Sequence, residues 1–203
     1  MNKLFVNYLF LFGLFLRLFC LVVFLPYAAS EFYVPFLNVS LTNFSLDPWR
    51  QWILQGGNPL SFPYGYSAWL ILAPFTALAK ILHLPLYYGY GFSLLLIDLC
   101  LLVFLKNLLP TRERLVILTY WLSPIVIFAT YIVGLNDLIP VFLLFLSLFF
   151  INEKSWKTAG LFLAASISAK LSMVIALPFF FFYFLNNKPI KLNLNKFLAG
   201  FTF

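Results

Sequence analysis

Apolar positions dominate this chain in long blocks, and the polar positions fall between the blocks. The first block, residues 4–25, is about 22 residues long, enough for a helix to cross the roughly 30 Å of hydrocarbon in a bilayer. Further blocks cover residues 67–84, 86–105, 115–133, 138–151 and 159–185. This pattern predicts an all-α fold, a polytopic transmembrane helical protein organised as one transmembrane domain over residues 1–203. Residues 186–196 are polar and the chain then turns apolar again. The sequence is therefore expected to stop as another helix begins, leaving the chain incomplete at its carboxy terminus.

Two features of the first block bear on its fate. Lys3 before it and Ala28, Ala29 and Ser30 after it imitate a secretory signal peptide, but the apolar run is too long for a signal core and Arg17 interrupts it. An uncleaved first helix with a cytoplasmic amino terminus is expected. A charge in lipid is costly, so Arg17 is expected to face the protein interior or a wet cavity. Snorkelling to a headgroup is harder from the middle of a helix.

Between the first two blocks lies a long loop, residues 28–66, expected on the non-cytoplasmic side. Its stretch DPWRQWILQGGNPLSFPYG, residues 47–65, gathers an acid, two tryptophans, three prolines and three glycines within an otherwise apolar chain. Polar chemistry concentrated in one loop is where function is sought first. Asp47 followed by Pro48 predicts a helix start, Trp52, Ile53 and Leu54 an apolar face, and Gly56 with Gly57 its end. A short amphipathic helix on the membrane surface fits. The plainer reading is a turn at the interface, with Trp49, Trp52 and Tyr64 as headgroup anchors. Two glycosylation tripeptides, Asn38-Val39-Ser40 and Asn43-Phe44-Ser45, carry little weight because such triplets recur by chance.

Composition agrees with the pattern: 64% hydrophobic residues, 9% charged and a mean hydropathy of +0.99 place the chain in a membrane. The net charge of +7 resides mostly at the ends of apolar runs, where it orients helices, so nucleic acid is not an expected partner. Cys20 and Cys100 lie inside apolar runs and suggest no disulfide framework. The single His83 and the scattered acids offer no zinc-like spacing.

Charge also ranks the topologies. If residues 67–84 cross the membrane, the basic turns at 106–114 and at Lys154 and Lys157 both fall outside, against the positive-inside rule. If that segment is re-entrant or lies at the surface, both turns fall inside with Lys3, and only Lys80 and the lysines at 188–196 are misplaced. The second arrangement is preferred. It gathers Asp47, Asn136, Asp137 and Lys170 toward one membrane face. Lys170 lies 13 residues beyond Lys157, roughly 20 Å along a helix. An intramembrane lysine suggests a functional site, or else a pair with an acid such as Asp98 or Asp137. Asp98 itself reads as structural, a buried partner for Arg17 or Lys170, or a protonated acid bonding a neighbouring helix.

The run from Asp47 to the aromatic-Pro-aromatic end at Phe62, Pro63 and Tyr64 resembles the first luminal loop of the GT-C glycosyltransferases, multi-span enzymes that take sugars from polyprenyl-phosphate carriers. Trp121-Leu122-Ser123-Pro124, Gly134-Leu135-Asn136-Asp137, Ala159-Gly160 and Lys170 follow in an order similar to that family's. The likeness is greatest to the enzymes that add the first mannose to GPI anchors and to their prokaryotic relatives. It covers residues 1 to about 185, the amino-terminal half of such an enzyme.

The resemblance implies a hexosyltransferase, with mannose the expected sugar, a lipid-linked donor and a lipid or glycan acceptor. It also implies a multi-pass place in a bacterial plasma membrane or the endoplasmic reticulum, with the active side non-cytoplasmic. Asp47 matches the family's loop aspartate and would act as catalytic base. Lys170, and less directly Arg17 or Arg50, would bind the donor phosphate, while Asn136, Asp137 and Tyr64 would shape the substrate site. The GPI enzymes carry two acids one residue apart in this loop, whereas here Asp47 is followed by Pro48 and Trp49. A divalent metal is thus left open rather than implied. Two other classes stay open: a transporter or flippase component, which should show repeated interrupted helices, and a non-catalytic membrane subunit.

Overall fold

The computed structural model of the chain describes residues 7–42, 45–186 and 190–202, and among these the secondary structure is entirely helical. The helices are α1 (Tyr8–Val23), α2 (Val34–Thr42), α3 (Pro48–Leu54), α4 (Tyr66–Ile81), α5 (Leu86–Leu108), α6 (Pro110–Trp121), α7 (Pro124–Val133), α8 (Leu138–Asn152), α9 (Trp156–Ala169), α10 (Leu171–Asn186) and α11 (Ile190–Leu198). A π-helical turn, Ala29–Tyr33, leads into α2, and α6 and α7 each finish in π-helical turns, Ile117–Trp121 and Phe128–Val133.

Among the described residues only α5 is both long and apolar enough on its own to cross a membrane; α6 and α7, taken together across a 47° bend, make a second candidate. With 23 residues, α5 extends about 34 Å at 1.5 Å per residue. The 16-residue α4 reaches only about 24 Å, short of the hydrocarbon thickness.

The described residues divide into two compact units, the first comprising Met1–Phe62 and Leu72–Leu138, the second Pro63–Ile71 and Ile139–Phe203. In the first unit, α1 buries Phe10, Gly13, Arg17 and Cys20, a helical spacing of three and four residues that makes a single inner face. Its other face exposes Leu11, Phe12, Phe15, Leu18, Phe19 and Val22. The inner face packs on Trp121: a Cβ at Gly13 would lie 2.3 Å from the indole nitrogen, so only glycine fits there. Phe10 stacks on the same indole with centroids 5.4 Å apart, and Leu102, Val116 and Ile117 complete that core. In the second unit, Leu163, Ala176, Phe180, Phe184 and Phe197 form the core. There α9 meets the chain end closely because Gly160 and Gly200 carry no Cβ.

Two interruptions depart from the hydropathy pattern. The apolar block at 115–133 is broken at Leu122. Pro124 has no N–H to offer the preceding turn, and Ser123 leaves the helical conformation to cap Val126 N. The block at 159–185 is broken at Lys170, which is extended (φ −152°, ψ 117°) between α9 and a 3-10 turn, Leu171–Ala176. Here the Ser168 carbonyl is spent on the amide of Gly65, 2.7 Å away, and no longer serves the helix.

Candidate functional site

The loop around Asp47 is a built element. Asp47 caps α3, its Oδ1 accepting from the Arg50 amide at 3.0 Å, and Pro48 occupies the first turn. The helix ends as the sequence predicts: Gly56 takes φ +79°, a conformation glycine adopts without strain. The two tryptophans then hold the loop to itself. Trp49 Nε1 donates to the Phe62 carbonyl at 3.1 Å and Trp52 Nε1 to the Asn58 carbonyl at 2.8 Å. Those donors are spent inside the protein, which argues against a loop whose tryptophans merely anchor to headgroups.

From the tryptophans of α3 runs a ladder of rings, all within the first unit. Phe36 stacks on Phe62 at 4.4 Å and contacts Trp49 at 5.6 Å and Trp52 at 6.1 Å. Phe62 meets Tyr33 at 6.1 Å, and Tyr33 meets Tyr90 of α5 at 5.9 Å. The Tyr90 hydroxyl donates to the Gly134 carbonyl at 2.7 Å. The ladder therefore runs from the capped helix to the Gly-Leu-Asn-Asp turn. That turn is sharp because Gly134, at φ +88°, lies against Pro26 and Ala29. Asn136 within it is 1% exposed, and neither atom of its amide has a hydrogen-bond partner among the described residues. A buried amide left unpaired costs on the order of 2 kcal/mol or more.

The residues expected at the site are distributed as follows. Asp47 and Arg50 are exposed, Asn136 is buried and Asp137 half-buried, all in the first unit. Among the described residues Asp47 Oδ2 accepts no hydrogen bond. Tyr64 is buried and Lys170 half-buried, both in the second unit, where the chain just after Tyr64 docks on the residues just before Lys170. That dock is the Gly65–Ser168 backbone bond with a Ser67 amide to Ser168 Oγ contact at 3.4 Å, and a Cβ at Gly65 would fall 2.3 Å from the Ser168 carbonyl.

Arg17 lies elsewhere, fully buried in an ion pair. Its Nε donates to Asp98 Oδ2 at 2.6 Å, its Nη1 to the carbonyls of Trp121 (2.6 Å) and Gly13 (3.1 Å), and its guanidinium lies 3.5 Å from the Trp121 ring centre. Asp98 accepts further from the hydroxyls of Tyr120 and Tyr131, at 2.5 and 2.8 Å. Of the two partners the sequence allowed for Asp98, it has Arg17.

Sequence reasoning missed Tyr33, Phe36 and Tyr90 in the ladder, Tyr120 and Tyr131 on Asp98, and Ser168 beneath Gly65. Only the first two carried a local signal, an aromatic pair three apart on one helical face. The triplet at Asn38 lies in α2, where Asn38 Oδ1 accepts from Lys80 Nζ and the buried Ser40 hydroxyl donates to the Leu37 carbonyl. The triplet at Asn43 falls outside the described residues. Among the described residues no three His, Cys, Asp or Glu side chains come together as a metal would need, so no chemical step is derived through a metal. No protein-family description, curated protein or solved structure matches the chain.

Proposed function

We propose that the chain is part of a membrane glycosyltransferase that moves a hexose, mannose being the expected one, from a polyprenyl-phosphate donor to a lipid or glycan acceptor. The observation that carries this reading is the exposed carboxylate of Asp47, oriented by its capping bond at the start of a helix whose tryptophans pack into a buried aromatic ladder. A carboxylate so held keeps one oxygen for the proton of an acceptor hydroxyl. A polytopic, GT-C-like arrangement belongs to the same proposal. It is supported by the outward phenylalanines of α1 and by exposed Phe179, Phe181 and Phe182 on α10, which water would not tolerate as contiguous patches. A mostly apolar groove beside α4 and α5, lined by Phe75, Leu78, Leu82 and Phe92, suits an isoprenoid tail.

In the proposed step the acceptor hydroxyl oxygen bonds to the anomeric carbon while the bond from that carbon to the phosphate oxygen breaks. The hydroxyl proton passes to Asp47, and the electron pair leaves with the lipid phosphate. The test is transfer of radiolabelled sugar from polyprenyl-phosphate mannose or glucose to membrane lipids, by the parent protein and by Asp47→Asn. Transfer by the parent and none by the variant is expected; equal transfer by both would remove Asp47 from the mechanism.

A second reading has its own observation. Interrupted helices, here at Leu122 and Lys170, are features of transporters. Absence of transfer together with movement of the labelled lipid across vesicles would select it.

A further inference from the structure

The Arg17–Asp98 pair plays no part in the step just written, yet its bonds are placed around one mechanical weak point. The bend between α6 and α7 lacks the helical hydrogen bond that Pro124 cannot make; across it run only local bonds, from the Ser123 amide to the Tyr120 carbonyl and from Val126 to the Ser123 cap. Every partner of the pair outside α1 and α5 flanks that bend. Before it, the Tyr120 hydroxyl reaches Asp98 Oδ1 and the Trp121 carbonyl, left without a helical donor by the break, takes Arg17 Nη1. Beyond it, the Tyr131 hydroxyl reaches Asp98 Oδ2. One carboxylate thus holds each limb by a different oxygen.

Three residues beyond Tyr131 the helix ends at Gly134, and α5 holds it again through Tyr90. Tyr90 and Asp98 are eight residues apart on α5, about 12 Å at 1.5 Å per residue. The second limb is therefore held at two points by one straight helix, and it delivers Asn136 two residues later.

We infer that Asp98, with Arg17, Tyr120 and Tyr131, is a positioning cluster that sets the angle of the α6–α7 bend and so the place of the Asn136–Asp137 turn. The link to catalysis rests on the function proposed above; the mechanical claim does not. A merely stabilising pair would lower the melting temperature when weakened and leave the bend unchanged. A positioning cluster predicts more. Tyr131→Phe removes one bond to the far limb and leaves the ion pair whole, so the protein should stay folded while the limb moves.

The experiment places spin labels on cysteines introduced at Leu115 and Phe128, both exposed and on opposite sides of the bend, in full-length protein carrying Cys20→Ala and Cys100→Ala. The distance distribution in detergent micelles is expected to be narrow for the parent and clearly broader for Tyr131→Phe and for Tyr120→Phe. An unchanged distribution in both folded variants would overturn the inference whatever their activity. In the transfer assay, Tyr131→Phe is expected to lower kcat about tenfold or more, while Asp47-dependence is retained. Broadening in the variants without transfer by the parent would uphold the positioning cluster and sink the glycosyltransferase reading.

Discussion

Asp98 and Asp47 are the same side chain in opposite circumstances, and the contrast separates structure from chemistry in this protein. Asp98 is fully buried and receives three side-chain donors, from Arg17, Tyr120 and Tyr131. Asp47 is exposed and uses one oxygen on a helix-capping amide. A buried carboxylate holding three donors is closed off from substrate, and removing Arg17 would leave its charge unpaired. A carboxylate held by one short bond keeps its orientation and still offers an oxygen. The buried acid is thus committed to structure, and the exposed acid is the better candidate for reaction.

The sharpest way to break this contrast is to orphan the buried acid. Arg17→Met should destabilise the protein by about 3–5 kcal/mol, because an uncompensated charge remains in the core. Combining it with Asp98→Leu should recover most of that loss, as read by thermal unfolding in micelles followed by circular dichroism. Failure of the double variant to recover would mean that the tyrosine hydroxyls, rather than the ion pair, dominate.

Asp47→Asn addresses the other side. Asparagine caps a helix as well as aspartate does, so melting should be unchanged within about 0.5 kcal/mol, while proton removal, worth about 10²–10⁴ in rate, is lost. A large drop in stability would erase the distinction between the two acids. Asp47→Ala should add about 1 kcal/mol of lost capping, measured in the same unfolding experiment.

Smaller effects test the connection between the two regions. Gly134→Ala forces a Cβ toward Pro26 at φ +88° and should cost about 1–2 kcal/mol. Tyr90→Phe removes one buried hydroxyl from the Gly134 carbonyl and should cost about 1 kcal/mol. If Tyr90→Phe changes transfer more than stability, the ladder positions the turn as well as packing it.

What could be read from the chain alone followed the range of the interactions involved. The α3 start and stop depend on residues within ten positions of one another, and Asp47, Pro48 and Gly56 announce them. The burial of Arg17 follows from the cost of its charge. The break at Pro124 had a local cause but sat inside an uninterrupted apolar block, where hydropathy hides it. The break at Lys170 had no local cause at all, since it depends on Gly65 reaching Ser168. The orphaned amide of Asn136 is likewise invisible in sequence, because it is defined by partners that are missing among the described residues.

The separation of 81 positions from Arg17 to Asp98 also sets a clock. At about 5–20 residues synthesised per second, α1 leaves the ribosome roughly 4–16 s before its counter-charge exists. For that interval Arg17 has to be kept hydrated or against another protein. The first helix of this chain therefore requires a host during synthesis that the finished fold no longer needs.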